Sequence, residues 1–510
     1  MVNDTRDGIL QKQKITFFNV AVLVALGLGS IGQGYSAAII GTTLGQPSFI
    51  EYFALDTRED ATDLISTMNG IFQAGGVLGT ISLPWVADRF GRKWGCAVPA
   101  ILILISGAIL AGSVNVGMFI AFRFFSGAGC WSTLAAVSIM MNEITPVHIR
   151  GAMVDINAVM YVLGYVFACW VGFGCYFWTT GGSNTWRPPI AIQCFWPLCL
   201  LTALPFLPES PRWLCMMGRD ADAERILLRL HADPKDPSNT VAKAEYYQIR
   251  KQLEIDRTLG QSWTYIAKKP SYRRRALLAL LTTAITQASG ALVINNYGPS
   301  LYRNLGYSTV KQLVLPAAWI TCALGLNILA MVLVDRFSRP KYMAFGLFGC
   351  AACLSVECAL VARFVPSDNE SALEAAVSML FVFIFFYELF VNGTQWTYLG
   401  EIFPTHIRAK GVCLGVANVA LMNLIWLQSA PVAFANVGWR FYLAFIVPCL
   451  LGAAVMWIWF PDTKGLPLEE VATIFGDSDE VAVYQRDLEV EFNTEAITYY
   501  HAGGDHKATE

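Results

Sequence analysis

The chain has 510 residues, of which 55% are apolar and only 15% charged, and its mean hydropathy is +0.47. A soluble protein carries about 25% charge and could not hide this much apolar surface, so lipid is the expected solvent. A net charge of −2 gives no electrostatic case for nucleic acid, and the polar opening residues carry no apolar run that would read as a cleavable signal.

A membrane span needs about 20 mostly apolar residues, and twelve stretches qualify. After a polar segment, 1–15, the first group occupies 16–207, with spans read at 16–43, 62–86, 95–115, 117–142, 152–178 and 188–207. The loop after the first span is acidic: Glu51, Asp56, Glu59, Asp60 and Asp63. Asp88-Arg89-Phe90-Gly91-Arg92 joins the second and third spans. Arg123 sits inside the fourth, in Arg-Phe-Phe-Ser-Gly. Asn142-Glu143-Ile144-Thr145-Pro146-Val147-His148-Ile149-Arg150 links the fourth to the fifth, and Pro208-Glu209-Ser210-Pro211-Arg212 follows the sixth. The stretch 208–275 is too charged to span, with helix-like patterning around 219–231 and 241–257.

The second group fills 276–460, with spans at 276–302, 312–334, 342–364, 374–399, 410–431 and 439–460, and leaves a tail, 461–510. The motifs return in the same order roughly 250 residues later. They are Asp335-Arg336-Phe337-Ser338-Arg339, Gly400-Glu401-Ile402-Phe403-Pro404-Thr405-His406-Ile407-Arg408 and, more weakly, Pro461-Asp462-Thr463-Lys464-Gly465. Two homologous halves are the plan of a carrier that rocks one half against the other. The expected fold is therefore all-α: twelve transmembrane helices in two pseudo-symmetric six-helix bundles, with a helical linker between them.

Basic residues orient the chain. With both termini cytosolic, only Arg58, Arg187, Arg303, Lys311, Arg363 and Arg440 fall in outer loops, Arg123 lies within a span, and the rest face inward. Asn369-Glu370-Ser371 is then a glycosylation sequon outside, and Asn3-Asp4-Thr5 a silent one inside. The 13 cysteines, Cys350 and Cys353 included, read as small hydrophobes rather than metal ligands or disulfides.

The repeated charges suggest a latch on the cytosolic side. Asp88 can accept from helix amides, and Arg92 can pair with Glu143 or Glu209. Arg212, Asp335, Arg339 and Glu401 repeat the pattern, with Arg150 and Arg408 at the entries of the fifth and eleventh spans. Such pairs form on closure and break on opening. His148 and His406 read as structural members of the same motif.

The strings DRFGRK, RFFSG, NEITPVHIRGA, PESPRWL, QASG…NNY, GEIFPTHIRAKG and PDTKG resemble the sugar porter family of the major facilitator superfamily over roughly 16–475, and QPSFIEYF resembles its fungal branch. The resemblance implies a sugar site at mid-membrane between the halves. Polar residues within spans are its candidates: Gln287, Asn295, Asn296 and Tyr297 in the seventh span, with Thr286 and Ser289 nearby. Interhelical hydrogen bonding is the alternative for these amides. Gly298-Pro299 is expected to break that helix. In the tenth span Glu388, Asn392, Gln395 and Trp396 stand out. The resemblance makes Trp396 the platform that stacks on the sugar, against lipid-facing bulk as the alternative, and makes Asn423 a cavity amide.

The departures are informative. Facilitative glucose transporters carry amides where this chain has Ala158, Thr286, Leu292, Ala323 and Val419. Asn157, Asn295, Asn296, Asn327 and Asn418 could supply a rearranged set. Proton-driven members carry an acid where this chain reads Gly34-Tyr35-Ser36, so downhill facilitation is favoured. Asp155, Glu357 and Glu388 are the candidate proton carriers if the carrier is coupled instead, and Arg123 reads as gating or structural. No enzyme activity, cofactor or metal is expected. The expected partners are a small sugar or polyol, the bilayer of the plasma membrane and, under coupling, protons, with a monomer as the working unit. A polyol, glycoside or specialised metabolite is the alternative cargo, and a non-transporting nutrient receptor a more distant one.

Overall fold

A computed structural model describes residues 16–145, 150–178, 182–230, 239–304, 307–364, 370–464 and 470–477, with short strands in the tail. In lipid each backbone N–H and C=O must be satisfied within the protein, which makes long apolar runs helical. Twelve helices among the described residues are long and apolar enough to cross a membrane, and the protein is an integral, multi-pass membrane protein. Their outer faces carry exposed apolar side chains such as Leu78, Trp85, Leu451 and Ile458, as a lipid-facing surface requires.

In the first half the spans are Phe17–Thr43, Ala61–Phe90, Arg92–Ala111, Val116–Ile144 and Arg150–Tyr176, then a sixth assembled from short pieces, among them Arg187–Ile192 and Phe195–Ala203. Pro188, Pro189, Pro197 and Pro205 remove backbone donors along that sixth span, which accounts for its segmentation. Side-chain oxygens start helices where they can: Thr16 accepts from the Asn19 amide and Asn115 from Met118. Small residues let helices touch backbone to backbone. A Cβ at Gly34 would lie 2.0 Å from the Tyr161 carbonyl, and one at Gly127 would lie 1.8 Å from that of Phe72. The first span therefore packs on the fifth, and the second on the fourth.

The second half has Thr309–Leu333, Arg339–Phe364, Arg408–Val437 and Leu443–Trp459 as near-continuous spans, with two interrupted ones. The seventh is two helices, Pro270–Gln287 and Ala291–Asn304. Its break lies at Gly290, whose φ of +81° suits glycine, rather than at Gly298-Pro299 as expected. Ser289 caps the first piece by donating to the Thr286 carbonyl, while Gly298 fits against Pro316 and the helix runs on through Pro299. The tenth span runs Glu370–Phe386, then a π-helical turn Tyr387–Asn392, then Gly393–Glu401.

Between the halves, Pro211–Met216, Asp220–Leu230 and Thr240–Asp256 surround a small core of Trp213, Leu214, Cys215, Ala223, Leu227 and Ile249. In the tail, Leu488–Glu491, Ala496–Tyr499 and Ala508–Thr509 form an antiparallel three-stranded sheet, which the sequence did not announce. The halves meet through the second span on the eleventh and the fifth on the eighth.

Candidate functional site

At the end of each half that carries the repeated motifs stands the same cage of charges. In the first half Arg92 is 3% exposed; its Nη2 donates to Glu143 Oε1 at 2.9 Å and its Nη1 to Asp88 Oδ1 at 2.7 Å. The Ser210 hydroxyl donates to Glu143 Oε2 at 2.5 Å. In the second half Arg339 donates to Asp335 at 2.7 Å and to Glu401 at 3.3 Å, and the Thr463 hydroxyl donates to Glu401 at 2.6 Å. Glu209 accepts from the Arg92 amide at 3.0 Å, and Asp462 accepts from the Arg339 amide at 3.2 Å.

Two expectations change here. Glu209 holds the backbone of Arg92 and Lys93 and not the guanidinium, and Asp88 takes side-chain cations rather than helix amides. Burial pushes the Glu209 carboxyl above the ordinary carboxylate range, while its backbone donors pull the other way. The ion pairs of Arg92 and of Arg339 each lie within one half. Lys410 to Asp88, at 3.4 Å, crosses between the halves, and the Arg408 charge of the second half also acts on Glu143 of the first. Arg212 and Arg408 are buried in the same region. Arg150 opens the fifth helix, but its side chain, like His148 and Asn369, lies outside the described residues.

Between the halves is a cavity lined by both. Gln287, Asn295, Trp396, Asn423 and Glu388 reach it from the second half, together with Asn392 and Gln395. Asn296 and Tyr297 do not. The Asn296 amide donates to the Leu292 carbonyl, and the Tyr297 hydroxyl donates to the Leu427 carbonyl. One and two further residues turn a side chain about 100° and 200° from Asn295. Of the other asparagines, Asn157 packs between Ser30 and Ser138, Asn418 donates to Leu280 and Thr283, and Asn327 donates to Glu388. Only Asn295 of that rearranged set lines the cavity.

The sequence reading missed the first half's share: Gln33, Trp131, Tyr161 and Tyr165, and also Trp319 and Tyr387 from the second half. Gln33 was findable as an amide inside a span. The rings carried no signal that separates a cavity wall from a lipid-facing surface.

Hydrogen bonds cross between the halves beside the cavity. Tyr161 donates to Asn392 at 2.5 Å. Thr397 donates to Asp155 at 3.0 Å on the motif side. Gly400 lies against Asn142 on that side too. At the opposite end Gly70 lies against Gln428, Gly45 against Leu313, and Gly41 near the Asn296 carbonyl. The cavity is thus pinched at both ends.

The other candidates are placed as follows. Asp155 is 2% exposed, below the cavity, and its Oδ2 has no hydrogen-bond partner among the described residues. Glu388 accepts from Asn392 at 2.6 Å and from Asn327. Glu357 is buried in the ninth span outside the cavity lining. Arg123 lies over the Phe72 ring at 4.3 Å and donates to the Ser36 and Met68 carbonyls; no carboxylate pairs with it among the described residues.

Comparison with known proteins gives the following. A family model described as "Sugar (and other) transporter" matches residues 20–475. An MFS-type transporter of Aspergillus cristatus is 27% identical over 460 residues, 90% of this chain and 93% of that one. A high-affinity glucose transporter of Kluyveromyces lactis is 25% identical over 494 residues, 92% and 88% of the two chains. Among solved structures, the proton:xylose symporter XylE of E. coli superposes with a TM-score of 0.78 at 23% identity, over 90% of this chain and 99% of that one.

Proposed function

This chain belongs to the Sugar (and other) transporter family, and from that premise we propose that it carries a sugar across the plasma membrane by alternating access, downhill. The observation that carries the reading is the cavity lined by two halves that each hold their own charge cage. Two internally stiff bodies joined by a few breakable cross-bonds are what rocking about one site needs. Amides and indoles supply the hydrogen bonds and stacking faces a sugar requires. Gln287, Asn295, Trp396 and Asn423 hold the cargo in this reading. Asp88, Arg92, Glu143, Glu209, Arg212, Asp335, Arg339, Glu401 and Arg408 keep each half rigid or set the gate. No covalent step is involved, and one chain is the working unit. The distribution of lysine and arginine supports cytosolic termini.

Ser36 cannot titrate in the physiological range, and Arg123 beside it has no paired acid among the described residues, which favours facilitation. A second reading, proton symport, rests on the lone Oδ2 of Asp155 at the crossing between the halves. The deciding experiment is initial uptake of labelled sugar in cells stripped of their own hexose carriers, with and without a protonophore. Uptake that survives supports facilitation. Uptake that is abolished moves the function to symport through Asp155, Glu388 or Glu357. No uptake of any sugar by protein shown at the surface defeats both.

A further inference from the structure

Several polar groups around the cavity are already committed to one another. Asn392 accepts from Tyr161 and donates to Glu388. Gln395 accepts from Thr286 at 2.6 Å and donates to Asn392. The indole N–H groups of Trp131 and Trp319 go to Gln73 and to the Leu380 carbonyl, both at 2.9 Å. Three buried lining atoms keep unmet capacity: the acceptors Gln33 Oε1 and Asn423 Oδ1, and the donor Trp396 Nε1. Apolar wall separates them, from Leu134, Val162, Leu292, Ile320 and Val419.

A free hexose carries a hydroxyl on nearly every ring carbon, and each buried hydroxyl must find a partner. This cavity would leave several of them facing methyl groups. Replacing one hydroxyl by an apolar substituent removes that mismatch and fills apolar wall instead. Resting on the reading of this cavity as the transport site, we propose that the preferred cargo is a sugar bearing an apolar substituent, an alkyl or aryl glycoside. Its remaining hydroxyls engage Gln287, Asn295, Asn423 and Trp396, with Gln33 from the first half. Leu292 and Val419 set the preference, because an amide at either position would restore a partner for a free hydroxyl.

Isothermal titration calorimetry of the purified chain tests this with D-glucose, phenyl β-D-glucopyranoside and benzyl alcohol. Phenyl glucoside should bind at least about tenfold more tightly than glucose, the scale on which apolar pockets discriminate. The double variant Leu292→Asn, Val419→Asn should narrow that gap by tightening glucose. Glucose binding as well as or better than phenyl glucoside to the unaltered chain overturns the proposed class but leaves the carrier reading standing. Benzyl alcohol matching phenyl glucoside overturns the role of the sugar. No heat from any of the three, with protein that unfolds cooperatively on heating, overturns the glycoside proposal together with the transport-site reading beneath it.

Discussion

Glu143 is buried, and both carboxylate oxygens are used, by Arg92 and by Ser210. Replacing it with Gln leaves Arg92 with only the part-exposed Asp88 as a charged partner, so the loss should approach about 3 kcal/mol, the lower end for breaking a buried pair. Glu143→Gln should lower the thermal midpoint of the purified protein clearly. Glu401→Gln should do so less, since the Arg339 contact is longer, at 3.3 Å, and slightly wetter. Trp396 makes a different kind of contribution. It lines the cavity while 7% exposed, and its N–H has no partner among the described residues. Trp396→Ala should raise the KM for uptake roughly tenfold or more with surface expression intact, and Trp396→Phe, which keeps a face but no donor, should fall between. Residues of this kind were legible because an amide or indole inside a span has few cheap explanations. Asn296 and Tyr297 were misplaced because composition does not say which face of a helix turns inward. Tyr161 and Trp131 were missed because aromatic rings also suit lipid, as exposed Trp85 illustrates.

At the scale of the element, the seventh and tenth spans depart from straight helices, and both departures serve the cavity. The seventh breaks at Gly290, with Gln287 just before the break and Asn295 just after it. Sequence pointed to Gly298-Pro299, the more conspicuous pair, because proline announces itself and a lone glycine does not. Gly290→Ala should damage both folding and uptake. Its positive φ costs a residue with a Cβ about 1–2 kcal/mol, and that Cβ would lie 2.8 Å from the Phe445 ring. A reduced unfolding midpoint together with slowed uptake is the expected result, and an unchanged midpoint would count against the break being fixed by glycine. In the tenth span the π-helical turn adds a residue to the local winding. It brings Tyr387, Glu388, Asn392, Gln395 and Trp396 together on the cavity wall, a breadth that a regular 3.6-residue stripe would not give. The span itself was plain in the sequence as an apolar run; the turn was not, since nothing in its residue types distinguishes i→i+5 from i→i+4 bonding.

For the whole molecule, twelve helices and the twofold plan were legible because lipid leaves few alternatives for apolar runs and because the motifs repeat. The partition of charge was not. Sequence suggested pairs such as Arg92 with Glu143 that form on closure; the pair is present inside its half, and the sequence did not show which bonds among the described residues cross between halves. Lys410 to Asp88 is one that crosses, and its side chains are 17% and 30% exposed. A part-exposed pair is worth about 1 kcal/mol or less. Lys410→Gln should therefore raise the population open at the motif end by no more than about fivefold. Hydrogen exchange of the segment around Gly400 should quicken modestly while the cores of the halves stay protected. The self-contained cages have one more consequence. The residues that complete the first cage, Glu209 and Ser210, directly follow its sixth span, and those that complete the second, Asp462 and Thr463, follow the twelfth. Neither set of closing residues falls in the stretch between Leu230 and Thr240. A gene divided there into two reading frames should yield two separate polypeptides that find one another in the bilayer and restore uptake. A division before Glu209 should strand that cage's closing residues on the wrong polypeptide and yield none.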